Sequence, residues 1–310
     1  MDAGGRARWA CREARALRPW RAHQHILTNM FMTAAFNAFT LLNSRVLGAL
    51  LYSSGWRRAT TRSNVAMHAL YIGCGSAEAQ HRVVRGAYEH LALVFVSLLG
   101  LPRLLPHIAP PPALPRRLLL QLEQGAVIIC SAHVGLWELV PHAISHALCP
   151  AARAASLIVY QPLHNGSADR FVLGRRQLSG IRLAPVRSSW PHLLGALRAG
   201  GIVGILGDQR PRRSRELKPR RFLGRATPFD DGVGRLHAET GAPVWFVAIL
   251  IDSGRSLVPL FVELTRDDDR ATLDRRSTGE AVVDRYAQAV SDAAVRWPEQ
   301  YLWSHRRWKE

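Results

Sequence analysis

Short apolar segments alternate with helical segments from residue 126 to the C-terminus, and this alternation constrains the fold more than any other feature. Each apolar segment has the length of a buried strand, and the segments between them carry helical periodicity or end in glycines such as Gly200 and Gly241. Strands that alternate with helices form a parallel or mixed sheet covered on both faces. The sequence therefore predicts an α/β fold with a mixed, largely parallel central sheet flanked by helices on both faces. The segments predicted as strands are AVIICS, SLIVYQ, IRLAPV, GIVGILGD, APVWFVAILID and SLVPLFVEL.

The N-terminal region is first basic and then apolar. Residues 1–25 contain six arginines, and no charged residue lies between Ile26 and Ser44. The apolar segment has about the length that crosses a bilayer, although asparagines interrupt it. We therefore predict a basic segment at 1–25, a membrane-associated helix at 26–52 and one α/β domain at 53–310. This helix either spans the membrane, lies in the membrane interface or packs on the domain.

The chain is strongly basic, with 41 Lys and Arg against 23 Asp and Glu and a formal net charge of +18. Such a charge favours anionic partners such as membrane lipids, phosphorylated substrates, nucleic acids or acidic proteins. Eight basic residues and one acidic residue fall within 210–225. We expect this run to be solvent-exposed and to lie beside the predicted strand that ends at Asp208. It either binds an anion or forms a solvated loop.

One histidine follows the first predicted strand at a position suited to chemistry. His133 comes just after AVIICS, and Glu138 follows five residues later in the next predicted helix, with Gly135 between them where a tight turn needs glycine. Ligands of α/β proteins gather at the carboxyl ends of strands. A histidine there can deprotonate a hydroxyl, and a nearby carboxylate can bind its second ring nitrogen. A structural His–Glu pair is the alternative, so this pair alone does not establish catalysis.

Several blocks of the sequence together resemble one protein family. The blocks are NVAMHALY at 64–71, SAHVGLWEL around His133, VYQPLHN at 159–165, GILGDQR at 204–210, FLGRATPFDDGVGRLHAETGAPVWFV at 222–247 and PEQYLWSHRRWK at 298–309. Their order and content resemble the bacterial lipid A biosynthesis acyltransferases, the lauroyl and myristoyl transferases of the lysophospholipid acyltransferase superfamily. The resemblance runs from about residue 26 to the end of the chain. It is far more specific than the His–Glu pair.

The resemblance assigns roles to individual residues. It implies His133 as the catalytic base and Glu138 as its orienting partner. It further implies substrate contacts from four residues, namely Arg176, Asp208, Gln161 and Asn165. Arg175 is adjacent to Arg176, so the register of this arginine is open by one position. Gln161 stands where the family usually has arginine, which leaves the identity of the acceptor open.

The resemblance also implies an activity and a location. We expect an O-acyltransferase that moves a fatty acyl chain from acyl carrier protein or coenzyme A to a hydroxyl of a membrane glycolipid, a lipid A precursor. We expect no metal and no redox cofactor. The expected partners are the acyl donor, the glycolipid acceptor and membrane lipids, and not nucleic acid. The expected location is the inner membrane, with the catalytic domain on the cytoplasmic side.

Three alternatives remain at this stage. In the first, the acceptor is another glycolipid, such as a phosphatidylinositol mannoside. In the second, the chain is a non-catalytic basic protein that binds membranes or nucleic acid. In the third, the chain is a family member that has lost its activity, although the retention of His133, Glu138 and Asp208 argues against this.

Overall fold

The structure, a computed structural model, describes residues 42–104, 114–186, 189–211, 215–253 and 256–308. The predicted basic segment 1–25 and most of the predicted membrane helix lie outside these residues. The part of that helix that the structure describes, residues 42–52, is helical. The division of the chain into three parts stays a prediction.

The helices and strands alternate along the chain. The strands are β1 (Val127–Ser131), β2 (Leu157–Tyr160), β3 (Arg182–Pro185), β4 (Ile202–Leu206), β5 (Pro219–Phe222), β6 (Arg225–Pro228), β7 (Val244–Ile251) and β8 (Leu257–Glu263). The α-helices are α1 (Arg58–His68), α2 (Ala77–Leu104), α3 (Arg116–Gln124), α4 (Val140–Ser145), α5 (Pro150–Ala155), α6 (Gly166–Gln177), α7 (Trp190–Arg198), α8 (Gly232–Thr240), α9 (Asp269–Thr272) and α10 (Arg275–Arg296). Two 3₁₀ turns follow β1 and α10, at Trp137–Leu139 and Pro298–Gln300.

Six strands form the central sheet in the order β3-β2-β4-β1-β7-β8. All neighbouring pairs are parallel except β7 and β8, which are antiparallel. The mixed, largely parallel sheet predicted from the sequence is therefore confirmed. Because β1 and β4 are parallel neighbours, their carboxyl ends lie side by side, with Ser131 opposite Leu206.

Alternate residues of the central strands face two separate cores. On one face, Ile128 and Cys130 of β1 pack with residues of α7, α8 and α10. On the other face, Val127 and Ile129 pack with residues of α3, α4 and the C-terminal half of α2. This alternation is the two-residue period of a strand that is buried on both sides.

One helix in the described part of the chain, Ala77–Pro102, is long and apolar enough to cross a membrane by length and composition. Of its most apolar 18-residue window, 56% is buried inside the domain. A core helix of a globular domain has the same properties, so this helix is weak evidence for a membrane span. It is a different helix from the one that the sequence predicts at 26–52.

The basic run at 210–225 is not the exposed loop that we expected. Its second half enters the hairpin β5–β6, which packs against α10. Arg220 has only 5% of its side chain exposed and lies 3.0 Å from the carboxylate of Asp284. Lys218 pairs with Glu280 at 2.6 Å. Full exposure was therefore the wrong expectation for this run, because carboxylates of α10 neutralise the buried arginine.

Candidate active site

His133 lies in a loop after β1 that is held from two sides. Gly135 in this loop has a φ of 64°, and a Cβ there would lie 2.1 Å from the carbonyl oxygen of Ile249. Only glycine satisfies both conditions. The backbone N–H of Leu136 donates to the same carbonyl at 2.7 Å, and the N–H of Leu302 donates to the carbonyl of His133 at 2.9 Å. β7 and the C-terminal segment therefore fix the position of His133.

A buried carboxylate holds the imidazole ring. Oδ1 of Asp208 lies 2.8 Å from Nδ1 of His133, and the backbone N–H of His133 donates to Oδ2 at 3.1 Å. Asp208 is only 1% exposed. Burial alone raises the pKa of Asp208, but the contacts with His133 and the charge of Arg307 together outweigh burial and hold this pKa below its usual range. An ionised Asp208 therefore orients the ring and stabilises a proton on it.

Glu138 does not contact the ring nitrogen that the sequence assigned to it. Its carboxylate makes two hydrogen bonds with Arg176, from Nε to Oε2 at 2.9 Å and from Nη2 to Oε1 at 2.7 Å. The indole N–H of Trp137 donates to Oε1 at 3.2 Å. The direct contact predicted between Glu138 and His133 is thus corrected, because Arg176 occupies both oxygens and Asp208 takes the place at Nδ1.

The charge of Glu138 follows from this pairing. Glu138 lies in the 3₁₀ turn after β1, not inside a regular α-helix as expected, and it is 8% exposed. Burial raises the pKa of Glu138, but the hydrogen bonds and charge of Arg176 lower it by a larger amount. The net shift of this pKa is therefore downward. A proton on His133 would act in the same direction. The site therefore holds two ionised carboxylates around one imidazole.

The helix α6 presents Arg176 to this cluster and directs Arg175 elsewhere. The guanidinium carbon of Arg175 lies 4.9 Å from the ring centre of Phe171 on the same helix. The structure thereby selects Arg176 from the two positions that the sequence left open. Its guanidinium is positioned by the carboxylate of Glu138.

The other two residues with predicted substrate contacts lie before α6. The side-chain oxygen of Asn165 accepts hydrogen bonds from the N–H groups of Ser167 and Ala168, both at 3.0 Å, which is the contact of a helix N-cap. Gln161 is exposed at the end of β2. Neither residue contacts His133 in the described residues, and their contacts with substrate stay predictions.

Gln209 reaches His133 from the opposite side of the ring, and the sequence analysis did not single it out. Its Nε2 lies 3.1 Å from Nε2 of His133. An amide nitrogen donates and does not accept, so this partner assigns the lone pair to ring Nε2 and the proton to Nδ1, towards Asp208. This is the tautomer of a general base. The sequence signal was available, because Gln209 directly follows Asp208 in the block GILGDQR.

Two further residues fix the strand ends that carry the cluster. The hydroxyl of Tyr286 on α10 donates to the carbonyl of Ser131 and accepts from the N–H of Gly207 at 2.9 Å, so that it joins the ends of β1 and β4. The guanidinium of Arg307 donates to the backbone carbonyl of Asp208. Arg307 lies in the C-terminal block of the family resemblance, whereas the aromatic residue on α10 gave no sequence signal beyond a core position.

The first and last blocks of the resemblance contact each other in the structure. The amide nitrogen of Asn64 on α1 donates to the carbonyls of Trp303 at 2.7 Å and His305 at 2.9 Å. The segment that it holds is the one that also binds the loop of His133. Residues more than 200 positions apart in the sequence therefore support one site.

An apolar pocket lies beside the cluster, between the sheet and the turn that carries Glu138. Its free volume is about 30 Å³, well below the range for open ligand pockets, so a bound chain must be narrow or displace lining side chains. The ring of Trp137 joins the pocket to the cluster, since its centre lies 5.2 Å from that of the His133 imidazole. The main lining residues are Ile129, Trp137, Ile144, Ile158, Gly204 and Leu206. The arrangement places His133 beside a narrow space that is lined by apolar side chains.

Comparison with known proteins identifies the family. The family described as bacterial lipid A biosynthesis acyltransferase matches residues 117–310, which is more than half of the chain. The match includes the four residues of the cluster that the sequence analysis named, His133, Glu138, Arg176 and Asp208. No curated protein matches the chain. The family predicted from the sequence blocks is therefore confirmed, and the chain belongs to the bacterial lipid A biosynthesis acyltransferases.

Proposed function

We propose that this protein is an O-acyltransferase that moves a fatty acyl chain from a thioester to a hydroxyl of a lipid A precursor. Family membership supports acyl transfer in lipid A biosynthesis. The observation that carries the proposal is the contact of His133 with Asp208, beside an apolar pocket that the neighbouring Trp137 lines. A base, its ionised partner and a hydrocarbon site are the parts that this reaction needs.

In the proposed reaction, Nε2 of His133 takes the proton of the acceptor hydroxyl. The hydroxyl oxygen forms a bond to the carbonyl carbon of the thioester, which becomes tetrahedral. The imidazolium is stabilised by Asp208 during this step. The carbon–sulfur bond then breaks, the sulfur leaves with the proton from His133, and the products are an ester and a thiol. Neither a metal nor a redox cofactor is required. The amide of Gln209 must move away from Nε2 when the acceptor hydroxyl binds there.

Arg176 is the proposed donor to the negative charge that develops on substrate oxygen. A guanidinium has five N–H groups, and the ion pair with Glu138 uses two of them. Those that remain can bind the tetrahedral oxyanion, which is a large source of rate enhancement in acyl transfer. In this account, Glu138 acts by holding Arg176 rather than by contacting His133.

The donor, location and partners follow from the same proposal. The donor is an acyl thioester of acyl carrier protein or coenzyme A, and both are soluble molecules of the cytoplasm. We therefore place the catalytic domain on the cytoplasmic side of the inner membrane. The family and one apolar helix indicate membrane association. A net charge of +18 favours a surface rich in anionic lipids or an acidic carrier protein.

A second acceptor class is favoured by one observation. Gln161 stands where the family usually has arginine, and it is exposed at the end of β2, on the same edge of the sheet as the cluster. A neutral amide there offers no charge to a sugar phosphate. We therefore include other membrane glycolipids, such as phosphatidylinositol mannosides, among the acceptors to be tested.

The experiment is a transfer assay with the purified protein in detergent. Thioesters of acyl carrier protein and of coenzyme A, each with a radiolabelled acyl chain, are offered with lipid A precursors, phosphatidylinositol mannosides and lysophospholipids. We expect label in one glycolipid class, and loss of label with the His133→Ala protein. Label in lysophospholipid only would refute the glycolipid acceptor. No label with any pair would refute the proposed activity, and salt-dependent binding to liposomes or nucleic acid would then point to a binding protein.

A further inference from the structure

A glycine in the middle of the sheet creates the apolar pocket. Gly204 on β4 lies directly opposite Ile129 of β1 and Ile158 of β2. All three positions belong to the face that α4 covers. A glycine inside a strand weakens it and often marks a place where a ligand or another chain comes close. Here, the missing side chain leaves a hollow between two isoleucines.

The hollow has a polar end and an apolar end. The polar end is Ser131, the last residue of β1, which lines the pocket two residues before His133. Its buried Oγ has no hydrogen-bond partner among the described residues. The opposite end is closed by the apolar side chains of Ile144, Ile181 and Ile202. An acyl chain in this hollow with its carbonyl at His133 would have its methyl end towards Ile202.

The strands give the depth of Gly204 in this hollow. Gly204 lies four residues before Asp208 along the chain, which corresponds to about 13 Å at the rise of an extended strand. Carbon–carbon bonds of about 1.5 Å at tetrahedral angles advance an extended chain by roughly 1.3 Å per carbon. A chain whose carbonyl lies at His133 therefore passes Gly204 at roughly its tenth carbon. Chain length beyond this point depends on the space at Gly204.

The wall opposite Gly204 is close. A Cβ at position 204 would lie 3.0 Å from Cγ1 of Ile158, which is tighter than most contacts of real side chains. One added methyl group therefore takes up the free space between the two strands. Replacement of Ile158 by alanine removes Cγ1 and the other atoms beyond Cβ, and so widens the same gap from the opposite strand.

We propose that Gly204 and Ile158 together set the length of the acyl chain that this enzyme accepts. This inference rests on the proposed function, because it takes the pocket as the acyl site. Gly204 provides the room for the distal carbons, and Ile158 limits that room from the neighbouring strand. Both are specificity-determining residues and neither takes part in the proton transfer.

Three variants test the pair against a matched control. Gly204→Ala is expected to favour shorter chains, and Ile158→Ala longer ones. The double variant, with one methyl gained and one side chain shortened, is expected to return towards the wild-type preference. Gly195→Ala on α7 is the control, because a Cβ there meets no atom within 4 Å. Thermal unfolding shows which of the proteins are folded.

The first measurement is fatty-acid binding, which does not depend on turnover. Decanoate and tetradecanoate displace dansyl-undecanoic acid from each protein, and the ratio of their dissociation constants is compared. Each methylene that no longer fits weakens binding about fourfold. We expect the tetradecanoate-to-decanoate affinity ratio to fall at least about fourfold in Gly204→Ala, to rise in Ile158→Ala and to stay at the wild-type value in Gly195→Ala.

Several results would overturn the inference. One is the same ratio in all five proteins, and another is no fatty-acid binding by the wild-type protein. If Gly204→Ala does not fold, an unchanged ratio in Ile158→Ala is sufficient to reject the proposal.

The second measurement separates this inference from the proposed function. Decanoyl and tetradecanoyl donors compete for one acceptor, and the products are analysed by mass spectrometry. Transfer by all proteins with one common product ratio would reject the length determinants and leave the acyltransferase proposal intact. Shifted binding ratios without transfer to any acceptor would support the length determinants and reject the proposed reaction.

Discussion

The replacement Asp208→Asn removes one negative charge beside His133 and leaves the shape of the side chain nearly unchanged. In the proposed transition state the imidazole carries a proton, and the nearest counter-charge is the carboxylate of Asp208, 2.8 Å from Nδ1. Two unit charges at about 4 Å attract by about 4 kcal/mol at an effective dielectric constant of about 20. Loss of this attraction corresponds to a decrease of about a thousandfold in the rate constant of the chemical step.

The assay is single-turnover transfer from a radiolabelled acyl donor to the acceptor, with enzyme in excess. Donor binding is measured beside it, because the replacement leaves the pocket unchanged and should not weaken it. Asp230→Asn is the control, since this partly buried carboxylate accepts from the N–H of Gly232 at 2.9 Å and does not contact His133. A rate for Asp208→Asn within tenfold of wild type would refute the role of Asp208.

Three further predictions concern stability and the second ion pair. Gly135→Ala is expected to lower the free energy of unfolding by about 3 kcal/mol or more, from both clash and backbone strain. Gly73→Ala, at a similar φ of 69° with open space around it, should lose only about 1 kcal/mol, and equal losses in urea unfolding would contradict the clash. Arg176→Ala leaves its carboxylate partner buried and unpaired, so we expect loss of transfer and about 3 kcal/mol less stability; equal effects from Arg175→Ala would contradict this. Burial lowers the pKa of His142 to about 4 in the folded protein. As pH falls below 6.5, this imidazole is therefore protonated in the unfolded chain before it is protonated in the folded one. Up to about 3 kcal/mol of stability is lost by pH 4. His142→Leu should remove this part of the loss, and identical pH profiles of urea unfolding would disprove it.

Much of the fold is predictable because its signals are local. The strands β1, β4 and β7 lie inside the sheet and appear in the sequence as uninterrupted apolar runs. Residues 277–297 have the apolar period of a helix, and α10 covers Arg275–Arg296. Gly241, predicted to end a helix, follows α8 with a φ of 69°. Each of these signals lies within the element that it predicts.

The contacts of the site were less predictable because they join distant positions. The sequence separation of five between His133 and Glu138 suggested a direct contact. The observed partner, Asp208, is 75 positions away, and it reaches His133 only because β1 and β4 are parallel neighbours. The partner of Glu138 is likewise 38 positions away, on α6. Strand order decides these pairings, and no local pattern encodes it.

The basic run shows the same limit in another form. Its charge predicted exposure, but the order of residues around Arg220 alternates as a strand requires, and the carboxylates that neutralise this residue come from α10. A helix with acidic residues on one face gave no sign, by itself, of the hairpin that would pack on it.

The proposed reaction requires that Nε2 of His133 takes the proton of an acceptor hydroxyl. The most direct test is the single-turnover rate of acyl transfer by His133→Ala, with donor and acceptor both saturating. A positioned general base contributes about a hundredfold to ten-thousandfold, so the account predicts a loss of at least a hundredfold with donor binding unchanged. A rate within a few-fold of wild type in a folded His133→Ala protein would show that His133 is not the base.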